Sequence, residues 1–363
     1  MPKACFWLEV IHNAFVEGRK NKAFGQAKSC EYVYNSVDNV ENRVKLAFLR
    51  AFPRQTMRLK PVPQMVDRLY VYARLFASRT RVAARHIDQG TNTNKGSVTV
   101  IIDFHTHAFP DPIAPRAISS LCECAGGIQP LTDGTTASLC AVLGQHGIDR
   151  AVILNIATNE TQHTAVNNFA SNIHDEMLVP FGSVHPFAEN ALDELRRIAS
   201  LGLKGIKLHP DYQKFYADDE RIFPFYAQAA SLGLITVFHA GVDIGLFEPV
   251  YCTPERLARA LPAFGGGIVV AAHFGGYLLW NDVEQHLVGR NIYFDTSYCA
   301  GRMPVLQARR IVASHGASRI LFGTDLPWGD PGAELRFARS LGLAVEEEAL
   351  VLGGNAARLL GMA

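Results

Sequence analysis

Ten residues, Val98-Thr-Val-Ile-Ile-Asp-Phe-His-Thr-His107, form an apolar run that closes on two histidines one residue apart. On a strand, side chains two positions apart share a face. His105 and His107 can therefore offer imidazole nitrogens to one ion, and neutral imidazoles suit Zn²⁺ and related divalent metals. Taken alone, a His-x-His is more often a strand end with satisfied histidines, so its company decides. Other apolar runs end the same way, in His185, His209, His239, His273, Asp295-Thr296 and Asp325. Catalytic zinc takes three or four protein ligands and keeps a position for water. His105, His107 and His239 supply nitrogens, and Asp325 supplies an oxygen. Water on such an ion falls in pKa toward about 7. Asp325 can receive the proton of that water, and His273 can orient it or stabilise an oxyanion.

These side chains meet only if a fold gathers the strand ends. The apolar runs predict strands at 98–105, 151–156, 179–185, 203–209, 234–239, 267–273, 291–296 and 319–324. Helix-like amphipathic stretches alternate with them at 160–174, 190–201, 219–232, 254–264, 281–288, 304–315 and 331–341. Pro254, Pro304 and Pro331 sit where a first helical turn tolerates proline. Eight strands, each from the second on followed by such a stretch, over residues 98–363 predict an α/β protein built as a (β/α)₈ TIM barrel. In that fold the active site lies at the C-terminal ends of the strands, where the histidines and aspartates fall. A doubly wound sheet is the structural alternative, but no Gly-x-Gly-x-x-Gly turn follows the first strand.

Composition separates two segments. Residues 1–97 carry 17 Lys+Arg against 7 Asp+Glu, a net of +10, while 98–363 carry 18 against 27, a net of −9. The basic N-terminal segment holds a candidate helix over 64–87 and a polar linker over 88–97. Three readings compete for it: a partner- or polyanion-binding extension, a long targeting peptide, or a stretch outside the working protein. The third is preferred, because Val98 corresponds to an alternative bacterial start codon and opens directly on the first strand. The seven cysteines are odd in number and scattered, which argues against a disulfide framework. With no membrane-length apolar stretch and no secretory h-region, the reading is a reduced, cytoplasmic protein without membrane attachment. The expected partner is a small-molecule substrate. Nucleic acid is not expected, and homo-oligomerisation stays open.

As an ordered set, Asp103-Phe-His-Thr-His107, Lys204-Gly-Ile-Lys-Leu-His-Pro210, Val237-Phe-His-Ala-Gly241, Ala272-His-Phe-Gly-Gly276 and Phe322-Gly-Thr-Asp-Leu-Pro-Trp328 resemble the amidohydrolase superfamily. Within it they are similar to the branch of aminocarboxymuconate-semialdehyde decarboxylase and related metal-dependent hydrolases. The tail Gly354-Asn-Ala-Ala-Arg-Leu-Leu-Gly361 fits the same resemblance. The resemblance spans 98–363 and implies one divalent ion, Zn²⁺ first and Mn²⁺ or Fe²⁺ as alternatives, on His105, His107, His239 and Asp325, with His273 and Asp325 catalytic. Binuclear members add a carboxylated lysine after strand four. Lys207 lies within the strand, two residues before His209, so a single metal is expected.

His209 and His185 each precede a proline, so either can contact a ligand or simply cap its strand. His209, Lys207, Tyr212 and Trp328 are the candidate substrate-binding residues; Gln213, Phe215 and Tyr216 are weighed equally as pocket lining or loop packing. Asp103 and Asp295 are candidate acceptors for metal-bound imidazoles. Cys122 and Cys124, in a Pro- and Gly-punctuated stretch over 109–135, read as packing residues. The leading expectation for function is hydrolysis of a small carboxylated amide, lactone or ester by metal-activated water. The alternative is non-oxidative decarboxylation of an aromatic or unsaturated acid. A barrel that binds without turnover is a third reading, which the intact histidine and aspartate set disfavours.

Overall fold

A computed structural model describes residues 100–246 and 248–362. The expectations for residues 1–97, including the helix and linker, lie outside the described residues. Eight short parallel strands follow in chain order: β1 (Ile102–Thr106), β2 (Arg150–Leu154), β3 (Leu178–Phe181), β4 (Gly205–Leu208), β5 (Ile235–Phe238), β6 (Val269–Ala271), β7 (Tyr293–Asp295) and β8 (Ile320–Leu321). β1-β2-β3 pair continuously, as do β4 to β8. Two isolated bridges, Gly182 with Ile206 and Thr106 with Leu326, join the arcs. Phe104 N donating to Phe322 O at 2.8 Å supports the second junction. The result is a closed (β/α)₈ TIM barrel.

Helices cover the barrel. α1 (Ala114–Cys124) and α2 (Thr136–Gln145) precede β2, α3 (His163–Ser171) precedes β3, and α4 (Ala191–Ser200) precedes β4. α5 (Pro210–Gln213) and α6 (Phe223–Ser231) precede β5, α7 (Pro254–Ala260) precedes β6, α8 (Trp280–His286) β7, and α9 (Val305–His315) β8. α10 (Pro331–Arg339), α11 (Val345–Ala349) and α12 (Asn355–Leu360) end the chain. β2 shows why continuous apolar strands suit this layering. Ala151 and Ile153 pack with Leu139 and Leu143 of α2, whereas Val152 and Leu154 join Phe104, Phe181, Val237 and Val270. Each fully buried Phe or Leu contributes roughly 1.5–3 kcal/mol. Gly205 makes room for this interior: a Cβ there would overlap the Phe181 ring and the Ile235 carbonyl oxygen.

Helix starts follow local chemistry. Thr253 accepts from Arg256 N ahead of Pro254, and Asp330 accepts from Ala333 N ahead of Pro331, as capping residues before a first-turn proline should. Pro304 differs from expectation, standing just before the helix rather than inside it. The stretch over 109–135 also differs, because it contains α1. Pro115 sits in the first turn of α1, where its missing N–H costs nothing. The strands are shorter than the apolar runs suggest, since from β2 to β8 the runs carry on into the loops that bear the polar residues; β1 instead starts later, at Ile102, and reaches Thr106. α11 continues through a wide turn at Leu350–Gly354 into α12. Asn355 ties this tail to the barrel by donating to Ala317 O and Ile320 O, each at 2.8 Å. Among the described residues no helix is long and apolar enough to cross a membrane.

Candidate metal centre

The strand ends converge on a cavity of about 460 Å³. His105, His107, Lys207, His209, Tyr212, His239, His273, Asp325 and Trp328 all line it, so the expected metal ligands, catalytic residues and main substrate-binding candidates reach one place. His105 and His107 lie with ring centroids 5.1 Å apart. Ligand atoms of His105, His107 and Asp325 all fall within 4.8 Å of one another. His239 lies outside that trio: its ligand atoms group with those of His209 and Asp243. Its Nδ1 sits 3.1 Å from His273 Nε2.

Hydrogen bonding tests whether the trio fits a cation. His105 Nδ1 lies 2.9 Å from Asp295 Oδ2, and His107 Nδ1 lies 2.9 Å from the Leu154 carbonyl oxygen. Both partners only accept, so each ring proton belongs on Nδ1. The remaining Nε2 lone pairs of His105 and His107 face Asp325 Oδ1 at 3.3 and 3.2 Å. Three electron-rich atoms thus point at one another, and a divalent ion relieves that repulsion. Burial, then the Lys207 charge, hold His105 well below the ordinary histidine range, which keeps it a neutral ligand. Burial alone would raise Asp325, but His107, His105 and His273 lower the carboxyl, a pull that these rings exert only when protonated. A bound ion supplies that pull while leaving the imidazoles neutral. His239 Nε2 is buried with no hydrogen-bond partner among the described residues, so it too offers a free donor atom. Burial and the neighbouring His209 depress its protonation. The donor set fits a divalent metal.

Supporting residues fix these rings. Asp295 is fully buried. Its Oδ1 accepts from His273 N at 3.0 Å, from Ser297 N at 3.1 Å and from the Ser297 hydroxyl. Its Oδ2 receives His105. Ser297, which sequence reading missed, also presents its carbonyl oxygen 3.1 Å from His273 Nδ1. His273 and Asp325 adopt left-handed backbone, with φ of 58° and 68°. Such conformations cost about 1–3 kcal/mol each in non-glycine residues and concentrate at functional sites. Asp325 N donating to His105 O at 2.8 Å helps hold the turn. Lys207 is buried, with Nζ 3.3 Å from His105 Nε2. Burial pushes its ammonium down to about 8 despite Asp295 and Asp325 nearby.

Other expectations separate. Asp103 meets no imidazole: its carboxyl accepts from Thr324 N, the Thr324 hydroxyl and His105 N, stitching β1 to the segment after β8. His185 does not line the cavity; its Nε2 meets Gln213 O at 2.9 Å, which is the capping role. Gln213 bridges Ala157 O, Val184 O and His209 N, Phe215 is core, and Tyr216 lies under Arg256. Cys122 and Cys124 do not line the cavity. Asp243, Tyr277 and Tyr298 do line it and were missed. They lie in loops beyond the strands, where periodicity gives no signal.

The family model described as Amidohydrolase matches residues 102–362. The chain belongs to the amidohydrolase family. No curated protein matches it. Solved structures with the same fold include the 5-carboxyvanillate decarboxylase of Sphingomonas paucimobilis, 16% identical over 73% of this chain and 100% of that one, with a TM-score of 0.56. A dihydroxybenzoic acid decarboxylase of Polaromonas sp. JS666, holding manganese and 2-nitroresorcinol, is 15% identical over 73% and 97%, with a TM-score of 0.54. A candidate 2-pyrone-4,6-dicarboxylic acid hydrolase of Pseudomonas putida is 17% identical over 73% and 98%, with a TM-score of 0.51. As an amidohydrolase-family enzyme the chain depends on a divalent metal, which suits the donor set above. At these identities the solved structures establish the barrel alone.

Proposed function

We propose that this family member is a non-oxidative decarboxylase of an aromatic or unsaturated carboxylic acid. The supporting observation is the division of the cavity. Histidines, Asp325 and Lys207 gather at the strand ends, while Ile113, Ala117 and Leu121 of the α1 region and Val166 and Phe169 of α3 give apolar walls. An apolar ring with one carboxylate suits that division. The fold neighbours that act on ring acids weigh the same way, against the hydrolase expectation drawn from the sequence.

His105, His107, Asp325 and His239 are the proposed ligands, and Zn²⁺ the proposed ion. When bound, the ion supplies the positive charge that holds the substrate carboxylate and favours electron density next to it. Lys207 Nζ adds a second positive group at the same end. The bond between the substrate carbon and its carboxylate breaks, CO₂ leaves, and the electron pair stays on the carbon. That carbon takes a proton from Nε2 of His273 in its imidazolium form, which leaves the other ring proton on Nδ1 against the Ser297 carbonyl; the ring regains its proton from solvent once the products leave. The apolar walls keep out the water that hydrolysis needs. His209, Tyr212 and Trp328 bound the ring from the side.

The test is product analysis with zinc-loaded protein and a panel of aromatic and unsaturated acids, alongside carboxylated amides, lactones and esters. Stoichiometric CO₂ release, lost in Asp325→Ala while the fold persists, is expected. Opening of an amide, lactone or ester without CO₂ contradicts the proposal. No turnover of any compound supports the binding-only reading instead.

A further inference from the structure

We infer that Asp243 selects the substrate: it accepts a hydrogen bond from a hydroxyl or amino group on the acid and excludes a second carboxylate. The inference rests on the decarboxylase reading and narrows its substrate to a monocarboxylic acid that also carries a hydrogen-bond donor.

Asp243 lines the cavity yet is only 7% exposed. One of its oxygens is committed: Oδ1 accepts from Gly245 N at 2.7 Å and Leu246 N at 2.9 Å. Those bonds lock the carboxyl and aim Oδ2 away from its own loop. Oδ2 lies 3.4 Å from His209 Nε2 and 3.9 Å from His239 Nε2. His209 Nδ1 accepts from Tyr212 N, so the single ring proton of His209 sits on Nε2, beside Asp243. Oδ2 keeps further lone pairs to offer. His209 stacks on His239 with 4.1 Å between ring centroids and 8° between planes, which fixes the imidazole that faces Asp243.

The charges around the cavity point the same way. Among the described residues Lys207 is the only lysine in the lining, and no arginine lines it. One ammonium and one ion serve one carboxylate at the metal end. A second carboxylate against Asp243 would meet like charge inside a poorly solvated wall. A hydroxyl or amine there gains a charge-assisted hydrogen bond instead.

The test is calorimetric titration of zinc-loaded protein with benzoate, 2- and 3-hydroxybenzoate, their methoxy counterparts and benzene-1,3-dicarboxylate. At least one hydroxybenzoate should bind about tenfold or more tighter than its methoxy counterpart, the usual scale for a hydrogen bond to a charged group. The dicarboxylate should bind most weakly. Asp243→Asn keeps an oxygen for the Gly245 and Leu246 amides, so it should fold and hold zinc normally. It should lose most of the hydroxyl preference, and Asp243→Lys should bring the dicarboxylate ahead. Equal binding of hydroxy and methoxy acids, or an unchanged preference in Asp243→Asn with fold and zinc intact, overturns the role of Asp243 alone. Failure of every acid to bind overturns the decarboxylase reading and this inference with it.

Discussion

Asp295→Asn offers the sharpest probe of how the site is prepared for metal. The three donors that meet Oδ1, namely His273 N, Ser297 N and the Ser297 hydroxyl, require an acceptor. The single oxygen of asparagine must stay there, which turns its NH₂ toward His105 Nδ1, 2.9 Å from Oδ2 in the native protein. An amide donor at that place makes Nδ1 accept and moves the ring proton of His105 to Nε2. Nε2 is the atom aimed at Asp325, so a near-isosteric change on the Nδ1 side of the ring should disable the ligand atom on its far side. Loss of such an outer partner typically weakens metal binding by about 10–100-fold, which corresponds to roughly 1.4–2.7 kcal/mol. Chelator competition for zinc measures the affinity, and thermal melting of the metal-free protein controls for folding. Zinc affinity within twofold of wild type, with the fold intact, refutes the tautomer reasoning.

Two further changes test the frame. Burial pushes the Glu334 carboxyl up to about 8, although backbone N–H groups of Ala300 and Cys299 oppose the shift. The folded protein therefore holds this proton more tightly than the unfolded chain, so stability is greatest below the ordinary carboxylate range and falls as pH rises toward 8. The loss is on the order of a few kcal/mol, and Glu334→Gln should flatten it in melts taken at acidic and alkaline pH; parallel curves for the two proteins contradict this. Gly205→Ala forces a methyl against Phe181 and the Ile235 carbonyl and should cost about 1–3 kcal/mol in denaturant titration. An unchanged midpoint contradicts the packing described for the barrel interior.

The barrel was legible because apolar runs and amphipathic stretches alternate, and because histidines gather where the runs end. His105, His107, His273 and Asp325 could be placed together on that logic. Three features escaped for physical reasons. α1 hides behind Pro110, Pro112 and Pro115, and part of its apolar surface faces the cavity instead of the core. Asp243 sits four residues beyond His239 in a loop whose shape is set by backbone amides, which no strand or helix period reveals. Asp103 shares strand parity with His105, but β1 shifts register between Asp103 and Thr106, and its carboxyl turns to Thr324. The neighbours of His239 were equally unreadable, since ring stacking with His209 depends on how β4 and β5 lie side by side.

Zinc-edge X-ray absorption on the purified, metal-loaded protein reads the central arrangement directly. Nitrogen and oxygen scatterers at about 2.0–2.2 Å, with multiple scattering from at least two imidazoles and loss of one imidazole in His107→Ala, are the expected result. A sulfur shell near 2.3 Å, or a spectrum that His107→Ala leaves untouched, contradicts an ion held between the β1 histidines and Asp325.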